Sequence, residues 1–235
     1  MSLQNIAEVL KNEGKFLLFQ PVNIDIERTG NWYLAFGVVA AWLAGIGRYW
    51  DNPRAQLWQT LGLGSVVYIF ILALILWLLL WPLRPNNWSY KRVLIFIGMT
   101  APLGILYAVP VEKFFTLKTA QLINVWFLAV VSVWRVTLLF LYLKRKSGLN
   151  ALAVTISTFL PLVLIVSSLA FLNLEHVIFR IMAGLAEDER SANDAAYMVL
   201  VVITFLSFYV SPVLLLSYSW LVWFRRKQRK AMASS

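Results

Sequence analysis

The sequence predicts an all-α fold, a polytopic membrane bundle of about six transmembrane helices with an amphipathic helix at its N-terminus. Three observations carry that expectation. Hydrophobic residues fill 60% of the 235 positions and charged residues only 14%, against roughly 45–50% and about 25% in soluble domains. Six apolar stretches approach or exceed the roughly 20 helical residues needed to cross a hydrocarbon layer about 30 Å thick. The 21 basic residues outnumber the 11 acidic ones for a net charge of +10, and they gather in the segments that flank alternate ends of those stretches. Together these exclude a water-soluble globule.

The N-terminal segment, residues 1–30, sets Leu3, Ile6, Ala7 and Leu10 at helical spacing opposite Glu8, Lys11 and Glu13, then runs into Phe16, Leu17, Leu18 and Phe19. That pattern fits a helix lying on the inner leaflet. A helix packed against the bundle or a partner subunit gives the same pattern. Glu8 and Glu13 interrupt any apolar core of signal-peptide length, so no cleaved secretory signal is expected. The transmembrane domain covers 31–224, with spans expected over 32–50, 57–81, 93–111, 122–143, 149–172 and 197–223. The first is the weakest, because it is short and has Gly30, Gly37, Gly45 and Gly47 in or beside it. A re-entrant segment there would leave five spans.

Charge arbitrates between six and five. With six spans, one side holds the N-terminal Lys11, Lys15 and Arg28, the loop Arg84, Lys91 and Arg92, the loop Lys144, Arg145 and Lys146, and the tail. The tail, 225–235, contributes Arg225, Arg226, Lys227, Arg229 and Lys230, bringing that side to 14 basic residues against 6 on the other. The positive-inside rule then places both termini in the cytoplasm, in a bacterial inner membrane. With five spans the bias nearly vanishes. Trp50 and Trp58 bracket the first outer loop while Trp81, Trp88, Tyr90, Trp220 and Trp223 gather at inner helix ends, as interfacial belts do. Between the last two spans Val177, Ile178, Ile181, Met182 and Leu185 suggest a second interfacial helix, followed by the acidic run Glu187, Asp188 and Glu189.

One basic residue stands apart. Arg135 lies inside the fourth span, with its Cα about 12 Å from the inner boundary and about 20 Å from the outer one at 1.5 Å rise per residue. An arginine so placed costs at least about 2.5–3.5 kcal/mol on insertion scales, so it should face protein or a wet cavity. Asn124, Ser132 and Tyr142 fall near the same helix face, which makes an anion- or lipid-binding stripe around Arg135 one reading. Ser157, Pro161, Ser168 and Glu175 on the fifth span, and Thr204, Ser207, Ser211 and Tyr218 on the sixth, repeat the pattern. Ordinary helix packing, which favours small and hydroxylated residues, explains these stripes as well. No acidic residue lies centrally in any span. The partners open to Arg135 are therefore carbonyls freed near Pro102 or Pro161, hydroxyls, an anionic ligand or an acid on another subunit.

At the outer face Arg48, Tyr49, Asp51, Tyr107, Glu112, Lys113, Glu175 and His176 follow the ends of three spans. Of these, Asp51, Tyr107, Glu112, Glu175 and His176 form a polar cluster that fits a cation site, a proton relay or a solvated rim. Adjacent Glu175 and His176 point to different helix faces and lack the HExxH spacing of zinc ligands, so no metal is expected. The absence of cysteine excludes thiol nucleophiles, disulfides and iron–sulfur clusters. Gly-rich phosphate loops, a GxSxG elbow and paired catalytic carboxylates are not recognisable, and no residue pattern names a cofactor or a catalytic residue. The basic tail follows the last span directly and suits a topogenic signal or anionic membrane surface. Dispersion of the basic residues among helix-flanking segments argues against nucleic acid.

The stretches VLIFIGMTAPLGILYAV (Val93 to Val109) and VWRVTLLFLYLKRKSGLNALAV (Val133 to Val154) resemble the Yip1-type family of small polytopic membrane proteins over about residues 93–166. The shared features are a proline-broken apolar helix and a tryptophan-bearing helix ending in a basic, Gly-containing turn. The resemblance implies a helical bundle with a cytoplasmic N-terminal segment and a scaffolding or trafficking-like role, with no catalytic residues. That family typically has five spans where the charges here favour six, and Arg135 maps to no function of the family. The sequence thus points first to a non-enzymatic accessory or scaffold subunit of a membrane assembly, with membrane lipids and other integral subunits or its own copies as partners. Its alternative is a transporter or a protein handling lipid or an anionic small molecule around Arg135. Against transport, no matching pair of broken helices marks an inverted repeat.

Overall fold

A computed structural model describes residues 3–50, 55–171 and 194–233, which contain helices and no strand. Helix α1 (Leu3–Leu17) is followed by α2 (Gly30–Tyr49), the single turn α3 (Leu57–Thr60), α4 (Leu63–Leu80) and α5 (Tyr90–Met99). Then come α6 (Leu117–Lys146), α7 (Ala151–Phe171) and α8 (Asp194–Ala233). Short 3-10 segments at Trp81–Leu83, Ala101–Ala108 and Val111–Lys113 finish α4, extend α5 and lead into α6. Six of these units are long and apolar enough to cross a membrane. The protein is an all-helical integral membrane protein.

The weakest expected span is a continuous helix. Its glycines are contact points, not breaks: a Cβ added at Gly37 would meet the backbone of Gly98 at 2.7 Å, one at Gly45 the backbone of Gly62 at 2.7 Å, and one at Gly47 the side chain of Ala108 at 2.7 Å. Close approach of this kind is how helices associate in lipid, where burial of apolar side chains supplies no net drive. At 20 residues, α2 spans about 30 Å. The second expected span, 57–81, is divided instead. Gly62 adopts φ +67° and separates α3 from α4, because its carbonyl side packs directly under α2. The third bends where expected: Ser89 caps the start of α5 by accepting from the Arg92 amide at 3.4 Å, and α-helix gives way to 3-10 turns at Ala101 and Pro102, since proline cannot donate the next helical bond.

The core lies where α4, α5, α6 and α7 meet. Leu80, Leu83, Val93, Leu143 and Ala153 are all fully buried there. Contacts divide the two ends clearly. At one end, Asn86 N donates to Ser147 O at 2.8 Å, Arg145 Nη2 to Phe19 O at 2.8 Å, and Arg225 and Arg229 to Leu83 O at 2.9 and 3.1 Å. This basic end therefore unites the N-terminal segment, the 84–92 and 144–150 loops and the last turns of α8, as the charge distribution requires. At the other end Trp50 Nε1 donates to Ala108 O at 2.9 Å.

Two expectations are corrected. Helix α8 does not stop at Trp223 but continues to Ala233, so the basic tail is the end of a helix. Arg225 and Arg229, one turn apart, cap the carbonyl that Leu83 leaves open at the end of its 3-10 turn. Helix α1 leaves the Ala7 and Leu10 face outward, where a leaflet would lie, but buries Glu13, which was expected on the polar side. Leu10 is 56% exposed and Ala7 is exposed, whereas Val9 and Glu13 are buried at 4% and 5% exposure. Val9 packs with Tyr33, Ile95 and Met99, and Phe16 meets Phe96 edge-on at 5.8 Å. Both long faces of α1 carry apolar residues, and the bundle took the one bearing Val9 and Phe16. The second interfacial helix expected near 177–185 lies outside the described residues.

Candidate functional site: a cationic cavity at the basic end

Arg135 sits at the crossing of α6 with the 3-10 segment after α5. Its Nη2 donates to Thr100 O at 3.4 Å, beside Pro102, one of the carbonyl partners that the sequence leaves open. Gly104 lies beside it and lets α2 approach: a Cβ there would lie 3.2 Å from Ala44 Cβ and in ordinary contact, 3.6 Å, with Arg135 Nη2. Arg135 Nε is shut off from solvent with no hydrogen-bond partner. Tyr107 lies within coulombic reach of both Arg135 and Arg48.

The stripe expected around Arg135 does not converge. Ser132 is exposed, and Asn124, which is half-buried and partnered, lies about 16 Å away along α6. Tyr142 turns to a different neighbour: its ring stacks on Phe96 at 4.4 Å and 19°. On α7, Ser157 and Pro161 are buried while Ser168 is exposed; on α8, Ser207 is buried, Ser211 bonds its own Phe208 carbonyl at 3.2 Å and Tyr218 donates to Leu79 O. Helices α7 and α8 run packed along one another, and small residues on their faces belong to that packing.

Tyr142 leads to the site that sequence reasoning missed. A partly open cavity of about 500 Å³ lies between the N-terminal segment, α5 and α6. Towards the basic end it carries Arg92, Arg145, Lys146, Asn86, Asn87 and Gln20; Ile95, Phe96, Met99, Leu138 and Leu141 lie one to two turns further along α5 and α6, and the strap adds Pro21, Val22, Ile24 and Ile26. Among the described residues no carboxylate lines it. Arg145 and Lys146 each bond a neutral acceptor, Phe19 O and Asn23 Oδ1, so their charges stay uncompensated.

The strap over this cavity, residues 16–26, is held in a constrained conformation. Phe19 adopts φ +62°, a left-handed geometry that non-glycine residues take only when their surroundings enforce it. Here its ring stacks on Trp134 at 5.6 Å, the Trp134 indole donates to Leu17 O at 2.9 Å, and Arg145 holds the Phe19 carbonyl. Asn87 and Arg84 on the facing loop also have positive φ, 51° and 47°. Below that loop Gly148 at φ +66° closes the α6–α7 turn against the Asn86 amide, where any Cβ would collide. Asn150 then caps α7 by accepting from the Ala153 amide at 2.9 Å.

The remaining expected residues fall elsewhere. Arg226, Lys227 and Lys230 are exposed on the end of α8, with Lys227 over the Trp223 ring at 5.4 Å. At the opposite end Arg48 lies over Tyr107 at 5.3 Å and Tyr49 at 5.9 Å, and Lys113 over Trp50 at 4.5 Å. Glu112 belongs to the turn Val111–Lys113, while Asp51, Glu175 and His176 lie outside the described residues. Among the described residues no cluster of three metal-ligating side chains occurs. Comparison of the chain with family models, curated proteins and solved structures gives no match.

Proposed function

We propose that this integral membrane protein binds an anionic amphiphile, a lipid with a phosphate-bearing headgroup, in the cavity at its basic end. The observation that carries this reading is the make-up of that cavity: three cations and three amides towards the basic end, apolar side chains from α5, α6 and the strap, and, among the described residues, no acid on its wall. Arg and Lys are the natural partners of phosphate oxygens. The apolar part, continuous with the bundle, suits an acyl chain. The positive-inside rule supports placing this end in the cytoplasmic leaflet of a bacterial inner membrane, where anionic headgroups add about 1 kcal/mol of attraction per nearby basic residue. The accessory or scaffold role has no separate support, since a bilayer covers the exposed apolar faces of α8 as well as a partner subunit would.

The test is retention of lipid by the purified full chain in detergent, read by native mass spectrometry. Phosphatidylglycerol should be retained, phosphatidylcholine should not, and the double variant Arg92→Gln/Arg145→Gln should lose about tenfold or more of the retention. Competition by inorganic phosphate would locate recognition in the headgroup alone. Equal retention of both lipids, or an unchanged double variant, would overturn the reading.

A further inference from the structure

Glu13 is the one acid buried in the bundle-facing stripe of α1, with Val9 one turn before it and Phe16 one turn after. Both carboxyl oxygens are shut off from solvent, and neither has a hydrogen-bond partner. The helix face that carries it packs on Tyr33 of α2 and on Ile95, Phe96 and Met99 of α5, and beyond it the chain meets Trp134 of α6. Tyr33 is the only titratable side chain among these. Its hydroxyl accepts from Asn12 Nδ2 at 2.6 Å, and Glu8, on the exposed side of α1, adds negative charge nearby. No cation among the described residues bonds Glu13. An ionised carboxylate in this place has neither water nor a counter-charge.

Location gives this burial a consequence. Three residues after Glu13 the chain becomes the wall of the cavity, at Phe16, Gln20, Pro21, Val22, Ile24 and Ile26. We propose that Glu13 is a proton-operated latch on that wall: protonated, it keeps α1 seated on α2 and α5, and on losing its proton it lifts α1 and loosens the strap that closes the cavity. Burial pushes the acid up from 4.5 to about 8. Undocking of α1 is accordingly favoured by up to about tenfold per pH unit between those values and levels off above the higher one. The role of the latch in ligand release rests on the lipid-binding reading; the latch itself does not.

The chain has no cysteine, so single thiols report directly. Val9→Cys in nanodiscs is labelled with a membrane-impermeant maleimide from pH 5.5 to 9, and its rate is divided by that of the exposed Lys11→Cys, which removes the thiol's own ionisation. The ratio should rise many-fold towards pH 8 and then flatten, and Glu13→Gln should abolish the rise. If Val9→Cys is labelled freely at every pH because it disturbs the contact, Ile24→Cys on the cavity wall serves as the reporter. The same pH profile with and without Glu13→Gln overturns the latch. Lipid retention measured on the same samples separates the two readings: loss of the pH response with retention intact removes the latch alone, and loss of retention with the pH response intact removes the lipid reading alone.

Discussion

The two ends of the bundle hold their cations in different ways. At the basic end, Arg145, Arg225 and Arg229 donate to backbone carbonyls at 2.8 to 3.1 Å, while at the opposite end Arg48 and Lys113 lie over the rings of Tyr107 and Trp50. A hydrogen bond from a charged group contributes about 1.5–3 kcal/mol and fixes direction; an exposed cation–π contact contributes about 0.5–1 kcal/mol and tolerates sliding. The basic end thereby ties separate segments together and leaves net positive charge around a cavity. The other end uses its cations to cover aromatic rings at the rim. A bundle with one constructed end and one merely closed end should respond unequally to the same kind of perturbation.

The largest inequality should come from pH. Glu13 holds its proton up to about 8 in the folded protein against an ordinary 4.5, so the folded state binds a proton that the unfolded chain has released between those values. Stability is then full below about pH 4.5, falls by about 1.4 kcal/mol per pH unit as pH rises towards 8, and is level above it. Thermal unfolding in detergent, followed by tryptophan fluorescence, should show this decline in the native chain and a markedly shallower one in Glu13→Gln. The next largest effect compares two glycines. Gly148→Val places a β-branched residue at φ +66° against Asn86 at the basic end and should cost about 3 kcal/mol. Gly47→Ala at the other end sets a methyl 2.7 Å from the Cβ of Ala108, which moves only with its own backbone, but it carries no left-handed strain and should cost about 1–2 kcal/mol. Equal losses in unfolding temperature would remove the distinction.

Much of the bundle was legible in the sequence because its determinants are local. Apolar runs of about 20 residues, the break at Pro102 and the sidedness of the basic loops need no knowledge of neighbours. The glycines of α2 were ambiguous for the opposite reason. Whether Gly37 interrupts a helix or admits Gly98 depends on a residue 61 positions away. The burial of Glu13 was illegible because both sides of α1 carry apolar residues, and lipid and protein accept them alike. Arg145 and Lys146 read as topogenic charge, and they come to line a cavity only because the strap at 16–26 folds across them. Tyr142 was singled out on helical spacing to Arg135, yet its ring stacks on Phe96 of another helix. Arg135 itself was recognised by cost alone, and a carbonyl near Pro102 was one of several partners the sequence left open.

The smaller effects decide whether the asymmetry concerns function or only stability. Arg145→Gln removes the charge-assisted bond that holds Phe19 in its left-handed conformation and one of the three cavity cations, so it should cost about 2 kcal/mol and also weaken retention of anionic lipid. Arg48→Gln removes two ring contacts at 5.3 and 5.9 Å and should cost only about 0.5–1 kcal/mol, with retention unchanged. The discriminating measurement is the pair of readouts on both variants, because a purely structural role for Arg145 would lower the unfolding temperature and leave lipid retention where it was. If Arg48→Gln instead reduced retention as much as Arg145→Gln, the anion would be reading the charge of the whole bundle and not the cavity.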